Sequence, residues 1–486
     1  MWRQLPYIAK LEKAGIPTVL IDFADQTEFV RQEALANGVP EIRVLHASRT
    51  VPGPADVDAL IEPLLEALTR PLTKEEEESG GLGPVPQQRV LFEGTLDEAQ
   101  TFYQQAEKLP GMLDAPFAVY TDGFPIIVPT EEKVREMLTG TSRRPDELIT
   151  HQSDLAEAGV AWNRVTKKGE PVLFWPMKRT ATVEKVATLA VMAGCRPEYL
   201  PVVLAIAESG GGTGDGRGGV GFCVSGPVAR EIGMNFGFGL FGPGNPANKT
   251  IGRVSDLMWR NLGGSVPSVT TTSIGGSPVL NGGFCFAENG HGLPAGWKGL
   301  NEELDFKKDE SIVMITRPGI WGMGQQFPAG VYRSLQKSGH GALARHLGVK
   351  GVPGPHNWLE YLTSGIWATR EGGITLVMVP EMAQHLCDIG FTSKEEVYEW
   401  IWKQSFEPVK DYMFRGGPDY STNGWMSIEK TSGKPWRELP EDYLVPAGGD
   451  GPWANCIIVS GGEIAEETCY RYGGGHGFAF SIDAWR

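Results

Sequence analysis

The chain has 486 residues, 41% hydrophobic and 21% charged, which is ordinary globular usage at a length one hydrophobic core seldom supports, so two or three domains are expected. A net charge of −15 repels phosphate backbones and anionic lipid surfaces and argues against nucleic acid or a membrane as partner. No run approaches the roughly 18 apolar residues of a bilayer span, the N-terminal MWRQLPYIAKLEKAGIP lacks the apolar centre of a secretory signal, and six cysteines without a CxxC pair do not make a disulfide framework; a cytoplasmic protein with free thiols is expected.

In chain order, Leu5 to Ala14 has helical spacing and stops at Gly15, and IPTVLIDF gives a buried strand from Ile16 to Phe23. A helix near Glu28 to Asn37 closed by Gly38, a strand at EIRVLHA and a helix from Ala55 to Leu68 follow. Residues 1–72 therefore read as a partial Rossmann-like domain whose first strand and functional loop are missing. Residues 73–88, with four consecutive glutamates and then Gly and Pro, read as an acidic linker. Over 89–486 the apolar runs PVLFW, GFCFA, SIVMIT, ITLVMVP and CIIVS alternate with helical patterns, which predicts a large α/β domain with a mixed sheet.

Several segments carry candidate chemistry. In TVEKVATLAVMAGCRPEYLPVVLAIAESGGG, Val183, Val186, Ala187 and Ala190 share a helix face and Gly194 suits a left-handed helix end. A second helix starts at Arg196-Pro197, so Cys195 lies beside its N-terminus, where free amides and Arg196 favour a thiolate; a packed, inert thiol is the structural alternative. The run GGGTGDGRGGVGFCVSG reads as a lid with Asp215 and Arg217 as substrate contacts, or else as a flexible surface connection. In GPGNPANKTIGRVSDLMWRNLGG, Asn245 is a good N-cap, Ile251, Val254, Leu257 and Met258 share a face, Gly263 closes the helix, and the helix start reads either as an anion site or as a plain cap; Asn248 spoils the match to a Walker A loop.

NGGFCFAENGHG reads as a strand that delivers Cys285, Glu288 and Asn289 to its C-terminal edge, with Glu288 suited to general acid/base work. Asp122 in YTDGFPI marks a turn before an apolar strand, and VSGGEIAEETCYRYGGGHGF reads as a strand followed by a glycine turn. His385 with Cys387 and Cys469 with His476 are isolated pairs without zinc spacing, no serine-hydrolase elbow is present, and neither metal nor cofactor is called for.

TDGFPI with PTEEKVREML, the block around MAGCRPEYLPVVLA, SGPVAREIGMN, GPGNPANKTIGR and FCFAEN together resemble the long domain of the selenocysteine-Gly-Ser-Cys motif family of thiol enzymes. AGIPTVLI through LHASRTVPG is similar to that family's small domain, itself similar to the glycine reductase B component. The redox motif itself is missing here, so the resemblance implies a split enzyme: a separate small subunit supplies the first strand and thiol loop, and this chain is the large subunit of a hetero-oligomer. It implies thiol-based redox cleavage of a small organic molecule; the residues themselves offer Cys195, Cys285 and Glu288 as catalytic and Asp122, Arg196, Arg217, Asn245 and Asn289 as substrate-binding. A lyase or hydratase using Cys and Glu as acid and base, or a non-catalytic scaffold, are the alternatives.

Overall fold

The structure, a computed structural model, describes residues 5–39, 41–48, 53–71, 73–74, 89–108, 116–154, 166–210, 220–266, 269–270, 284–316, 325–328, 335–336, 339–364, 373–410, 429, 432–446, 451–462, 468–473 and 475–486. They fall into two compact units, Met1–Arg217 with Val254–Gly276, and Gly218–Arg253 with Ser277–Arg486. The acidic linker expected at 73–88 lies almost wholly outside the described residues.

The first unit opens with α1 (Leu5–Lys13), β1 (Val19–Asp22), α2 (Thr27–Ala36), β2 (Arg43–His46) and α3 (Pro54–Thr69). β1 and β2 are parallel, Val19 opposite Arg43 and Asp22 opposite His46, which makes α2 the crossover of a β–α–β unit. β1 is shorter than the expected Ile16–Phe23 because its front end is captured by α1: the Ile16 amide bonds to Leu11 O, and the Thr18 amide and hydroxyl both donate to Glu12 Oε1. The core joins Leu5, Leu20, Phe29, Val30 and Ala34 to Trp175 from far along the chain, its ring edge-on to Phe29 at 5.9 Å.

PVLFW is a correction to the expected strands. Phe174 and Arg179 exchange amide bonds across a reversal at Pro176, and prolines at both ends remove the donors a ladder needs. The run after the Asp122-Gly123 turn also stays outside any strand; Pro125 interrupts it, and the Ile127 amide goes to Met192 O.

The remainder of this unit is α4 (Leu96–Tyr103), the antiparallel pair β3 (Ala106–Glu107) and β4 (Phe117–Ala118), α5 (Glu131–Met137), α6 (Val183–Ala193) and α7 (Leu200–Glu208). α6 begins where the Thr182 side chain accepts the Lys185 amide and ends where Gly194 takes φ 87°, as its sequence pattern predicts. All of α7 is buried, which suits a helix apolar on every side.

The second unit contains β5 (Gly221–Ser225), α8 (Val228–Glu231), β6 (Phe284–Ala287), α10 (Leu300–Glu303), β7 (Ile312–Thr316), β8 (Gln325–Pro328), α11 (Gly339–His346), α12 (Trp358–Thr363), β9 (Ile374–Met378), α13 (Pro380–Asp388), α14 (Lys394–Lys403), β10 (Phe406–Pro408), β11 (Leu444–Pro446), β12 (Cys456–Val459), β13 (Thr468–Gly473) and β14 (Ala479–Ser481). α9 (Pro246–Asn261) spans the boundary between the units. Two four-stranded sheets run β14-β7-β5-β6 and β12-β9-β13-β8. Both are mixed: β5–β6 and β12–β9 are parallel, while β7 and β13 pair antiparallel with their neighbours.

Alternation along β9 and β12 sorts the core. Val377, Cys456 and Ile458 pack toward Cys223, Phe286 and Met314 of the other sheet, whereas Leu376, Met378, Ile457 and Val459 pack with the residues of α12, α13 and α14. The chain is thus an α/β protein with mixed sheets. Among the described residues no helix is long and apolar enough to cross a membrane.

Trp175→Ala removes the one distant ring from the N-terminal core and is expected to cost about 3–5 kcal/mol. Denaturant unfolding monitored at the remaining tryptophans checks it; an unchanged midpoint would show that the α1–α3 segment does not depend on that ring.

Candidate functional site

β5 and β6 run parallel, so their C-terminal ends emerge together. The Glu288 amide extends the ladder one step beyond β6 by bonding to Val224 O at 2.8 Å, which sets the Glu288 carboxylate beside Ser225. Ser225 Oγ donates to Glu288 Oε2 at 2.7 Å, and the same oxygen accepts the Leu300 amide at 2.8 Å at the start of α10. One turn along, α10 presents Glu303. α14 begins under a Ser393 cap that accepts the Glu396 amide, and its first residue, Lys394, turns inward. Lys394 Nζ lies 2.6 Å from Glu303 Oε2 and 3.3 Å from Glu288 Oε1, all three side chains no more than 1% exposed. Tyr398, a turn later, donates to Glu303 Oε1 at 2.8 Å and accepts the Ile457 amide at 3.1 Å.

Burial opposes the charge on Lys394, but Glu303 and Glu288 outweigh it and hold the ammonium protonated well above the ordinary lysine range. Burial pushes the Glu303 carboxyl up, with Lys394 and the Tyr398 hydroxyl acting the other way. The Tyr398 phenol is pushed far up by burial and by Glu303, so it stays a donor.

His476 completes the cluster. Its Nδ1 lies 3.2 Å from Trp453 O, a contact that requires the N–H on Nδ1 and leaves the lone pair on Nε2. Among the described residues Nε2 has no hydrogen-bond partner; it lies 4.0 Å from Glu303 Oε1, in a side chain 2% exposed. Burial pushes the imidazole down to about 4, so it is neutral at pH 7. The Trp453 ring stacks on it at 3.8 Å and 4° and is itself 46% exposed, so it forms a roof between His476 and solvent. The arrangement is a neutral base beside a carboxylate whose position is set by a buried cation and a phenol.

The residues singled out by sequence are placed as follows. Cys195 belongs to the first unit, whereas Cys285, Glu288, Asn289 and Asn245 belong to the second. Cys195 is half-buried, follows the left-handed Gly194, and sends its amide to Ala190 O; the helix after it starts with a 3-10 turn at Pro197–Tyr199, capped by Arg196, before α7. The Arg196 side chain is 63% exposed and 3.9 Å from Glu198. Cys285 is buried in β6. Asn289 is buried, its amide on Val459 O and its Oδ1 accepting the Gly292 amide. Asn245 caps α9 by accepting the Asn248 amide at 3.0 Å while donating to Gly233 O at 2.9 Å, so the helix start is closed by its own side chain. The left-handed position past α9 is Gly264, φ 72°, while Gly263 is needed because a Cβ there would lie 2.0 Å from Trp175 O. Asp122 accepts the Phe124 amide within its turn. Asp215 and Arg217 lie outside the described residues.

Lys394, Glu303, Tyr398 and His476 were not read from the sequence. Among the described residues no group of three or more His, Cys, Asp or Glu is placed to hold a metal ion. Comparison with family models, curated proteins and solved structures gives no match.

Lys394→Met leaves two buried carboxylates without their cation and is expected to lower stability by about 3–5 kcal/mol in chemical denaturation. For His476 the folded pKa, about 4, lies below the ordinary 6.5, so the unfolded chain takes up the proton first. Its contribution is therefore intact above pH 6.5 and falls away as pH drops toward 4, by about 3 kcal/mol in total. His476→Gln should flatten that part of the stability profile; an unchanged slope would show that His476 is charged in the folded state.

Proposed function

We propose that the chain is a subunit of a cytoplasmic enzyme that transforms a small organic molecule by proton transfer, of the lyase or hydratase kind. His476 is the group that moves the proton, and Glu303, positioned by Lys394 and Tyr398, is its partner. The observation that carries this reading is the unbonded Nε2 of a neutral, buried histidine facing a carboxylate 4.0 Å away. Nε2 accepts a proton from a carbon made acidic by a neighbouring carbonyl or carboxyl; the imidazolium so formed lies beside Glu303 and, because burial disfavours its charge, gives the proton up to the departing oxygen. Positioned acid–base transfer of this kind is worth about 10²–10⁴ in rate. Substrate reaches Nε2 by displacing the Trp453 ring.

Thiol redox within the second unit has less support. Burial holds the Cys223 and Cys456 thiols well above their ordinary range. They lie on β5 and β12, packed into one apolar core cluster. One observation favours the second reading, a split thiol enzyme in which a small subunit brings a sulfur to Cys195. α3 carries Val57, Ile61 and Leu65, 50%, 46% and 51% exposed, at successive turns of one face beside the two-stranded parallel sheet. A subunit that adds a parallel strand to that sheet would cover the stripe.

Incubation with a pool of small organic acids, followed by mass spectrometry, is expected to show gain or loss of one water without added dithiol. His476→Gln should lower that rate at least about a hundredfold, and Cys195→Ala should leave it near the parent value. Dithiol-dependent loss of substrate that vanishes in Cys195→Ala and survives in His476→Gln would replace proton transfer with thiol cleavage.

A further inference from the structure

Residues 89–94 of the first unit are attached to it by side chains. Among the described residues no backbone amide or carbonyl of this segment is hydrogen-bonded to another backbone group, and none of its residues lies in a helix or strand. At the front Arg89, 62% exposed, reaches both oxygens of Glu184 on α6 at 3.0 and 2.8 Å and Glu131 on α5 at 3.0 Å. At the back the Phe92 ring stacks on Phe102 of α4 at 5.2 Å, and Thr95 ends the segment as the N-cap of α4 by accepting the Glu98 amide. Gly94 makes the stack possible, since a Cβ there would lie 2.7 Å from the Phe92 ring.

The same segment walls a cavity of about 500 Å³, the size of a small-molecule site. Arg89, Val90, Leu91, Phe92 and Gly94 all line it. The rest of the wall includes Val134 of α5, Tyr103 of α4 and one face of α6, where Thr188, Leu189 and Met192 recur at helical spacing. Glu131 and Glu184 line it too, so the Arg89 contacts run from the segment to two helices of the cavity they share.

The wall suits an apolar occupant. Val90, Leu91 and Leu96 keep 45%, 47% and 60% of their surface open to solvent, and an apolar body beside them withdraws that surface from water. Both carboxylates are engaged by Arg89; burial lowers the pKa of Arg179 and of Lys185, and Glu184 draws Lys185 the other way. A charged ligand entering such surroundings loses its hydration beside groups of both signs, a cost that an uncharged one does not carry.

We infer that this cavity binds an uncharged, ring-bearing, largely apolar small molecule and that residues 89–94 are its door, with Arg89 as the latch and the Phe92 stack as the fixed side. Opening breaks the exposed contacts of one guanidinium and no hydrogen bond between backbone groups. The inference stands on the first unit alone and is independent of the proton-transfer reading, because it is measured by binding and not by turnover.

The test is stopped-flow mixing of the full chain with N-phenyl-1-naphthylamine, an uncharged probe that brightens in apolar surroundings. The comparison is 1-anilinonaphthalene-8-sulfonate, the same body with a negative charge. Saturable binding of the uncharged probe is expected, with the sulfonate at least about tenfold weaker. Phe92→Ala and Leu96→Asp, which change the wall, should each weaken the uncharged probe about tenfold or more. Arg89→Met and Glu131→Gln, both at exposed positions, should speed its entry about threefold, the scale of an exposed ion pair. Added sodium chloride should speed entry in the parent and not in Arg89→Met. Thermal unfolding of the unliganded variants shows which are folded, and one folded variant of each kind suffices. No saturation by the uncharged probe, tighter binding of the sulfonate, undiminished binding in a folded wall variant, or an unchanged entry rate in a folded latch variant overturns the inference.

Discussion

Withdrawing an ammonium and two carboxylates from water costs several kcal/mol per ion, and a pair left incomplete in a protein interior is strongly destabilising. Lys394 sits between Glu288 and Glu303 with less than a few hundredths of its side chain reaching solvent. The geometry must then be maintained by everything around it: Ser225 and the Leu300 amide fix Glu288, and the Tyr398 hydroxyl fixes Glu303. Those contacts tie β5, β6, α10, α14 and, through the Ile457 amide, β12 into one arrangement. The second sheet pair and its helices are thereby locked to a single register by charge, where apolar packing alone would tolerate slippage.

How far this was legible in the sequence follows from the range of each interaction. Gly194 and Asn245 obey rules that act within one helical turn, and both stand as read. The four strands after residue 280 that were expected from continuous apolar runs, at FCFA, IVMIT, ITLVM and CIIV, form because such runs suit sheets covered on both faces. PVLFW has the same composition and fails because its prolines withhold amides. Lys394 and its partners were hidden for a different reason: they are 106 and 91 residues from Glu288 and Glu303, and no local pattern spans that. A signal was present even so. Lysine at the first position of a helix faces the positive end of the helix dipole, an arrangement that calls for compensating carboxylates. His476 was noticed only as a failed zinc pair, although a glycine-flanked histidine in a packed C-terminal segment is equally a buried neutral base.

The same cluster shapes the chemistry open to the protein. Holding Glu303 by a cation on one oxygen and a phenol on the other leaves a carboxylate that can stabilise a charged imidazole without itself moving. Cys223 and Cys285 are interior groups of β5 and β6, and the burial that raises the proton affinity of Cys223 removes it as a nucleophile. Cys195 stands apart, half-buried in a helix connection of the other unit.

Residues 468–481 hold one further consequence. β13 lies between β9 and β8 in one sheet, and β14 pairs with β7, Ala479 opposite Met314, in the other. During synthesis on the ribosome neither sheet can be completed until these strands emerge, so β7, β8 and β9 wait with unpaired edges while the intervening chain is made. Long-range pairings of this kind fold slowly. The nascent second unit therefore passes through an interval in which exposed strand edges are open to chaperones, and a ribosome stall before Thr468 would release a chain able to associate through them.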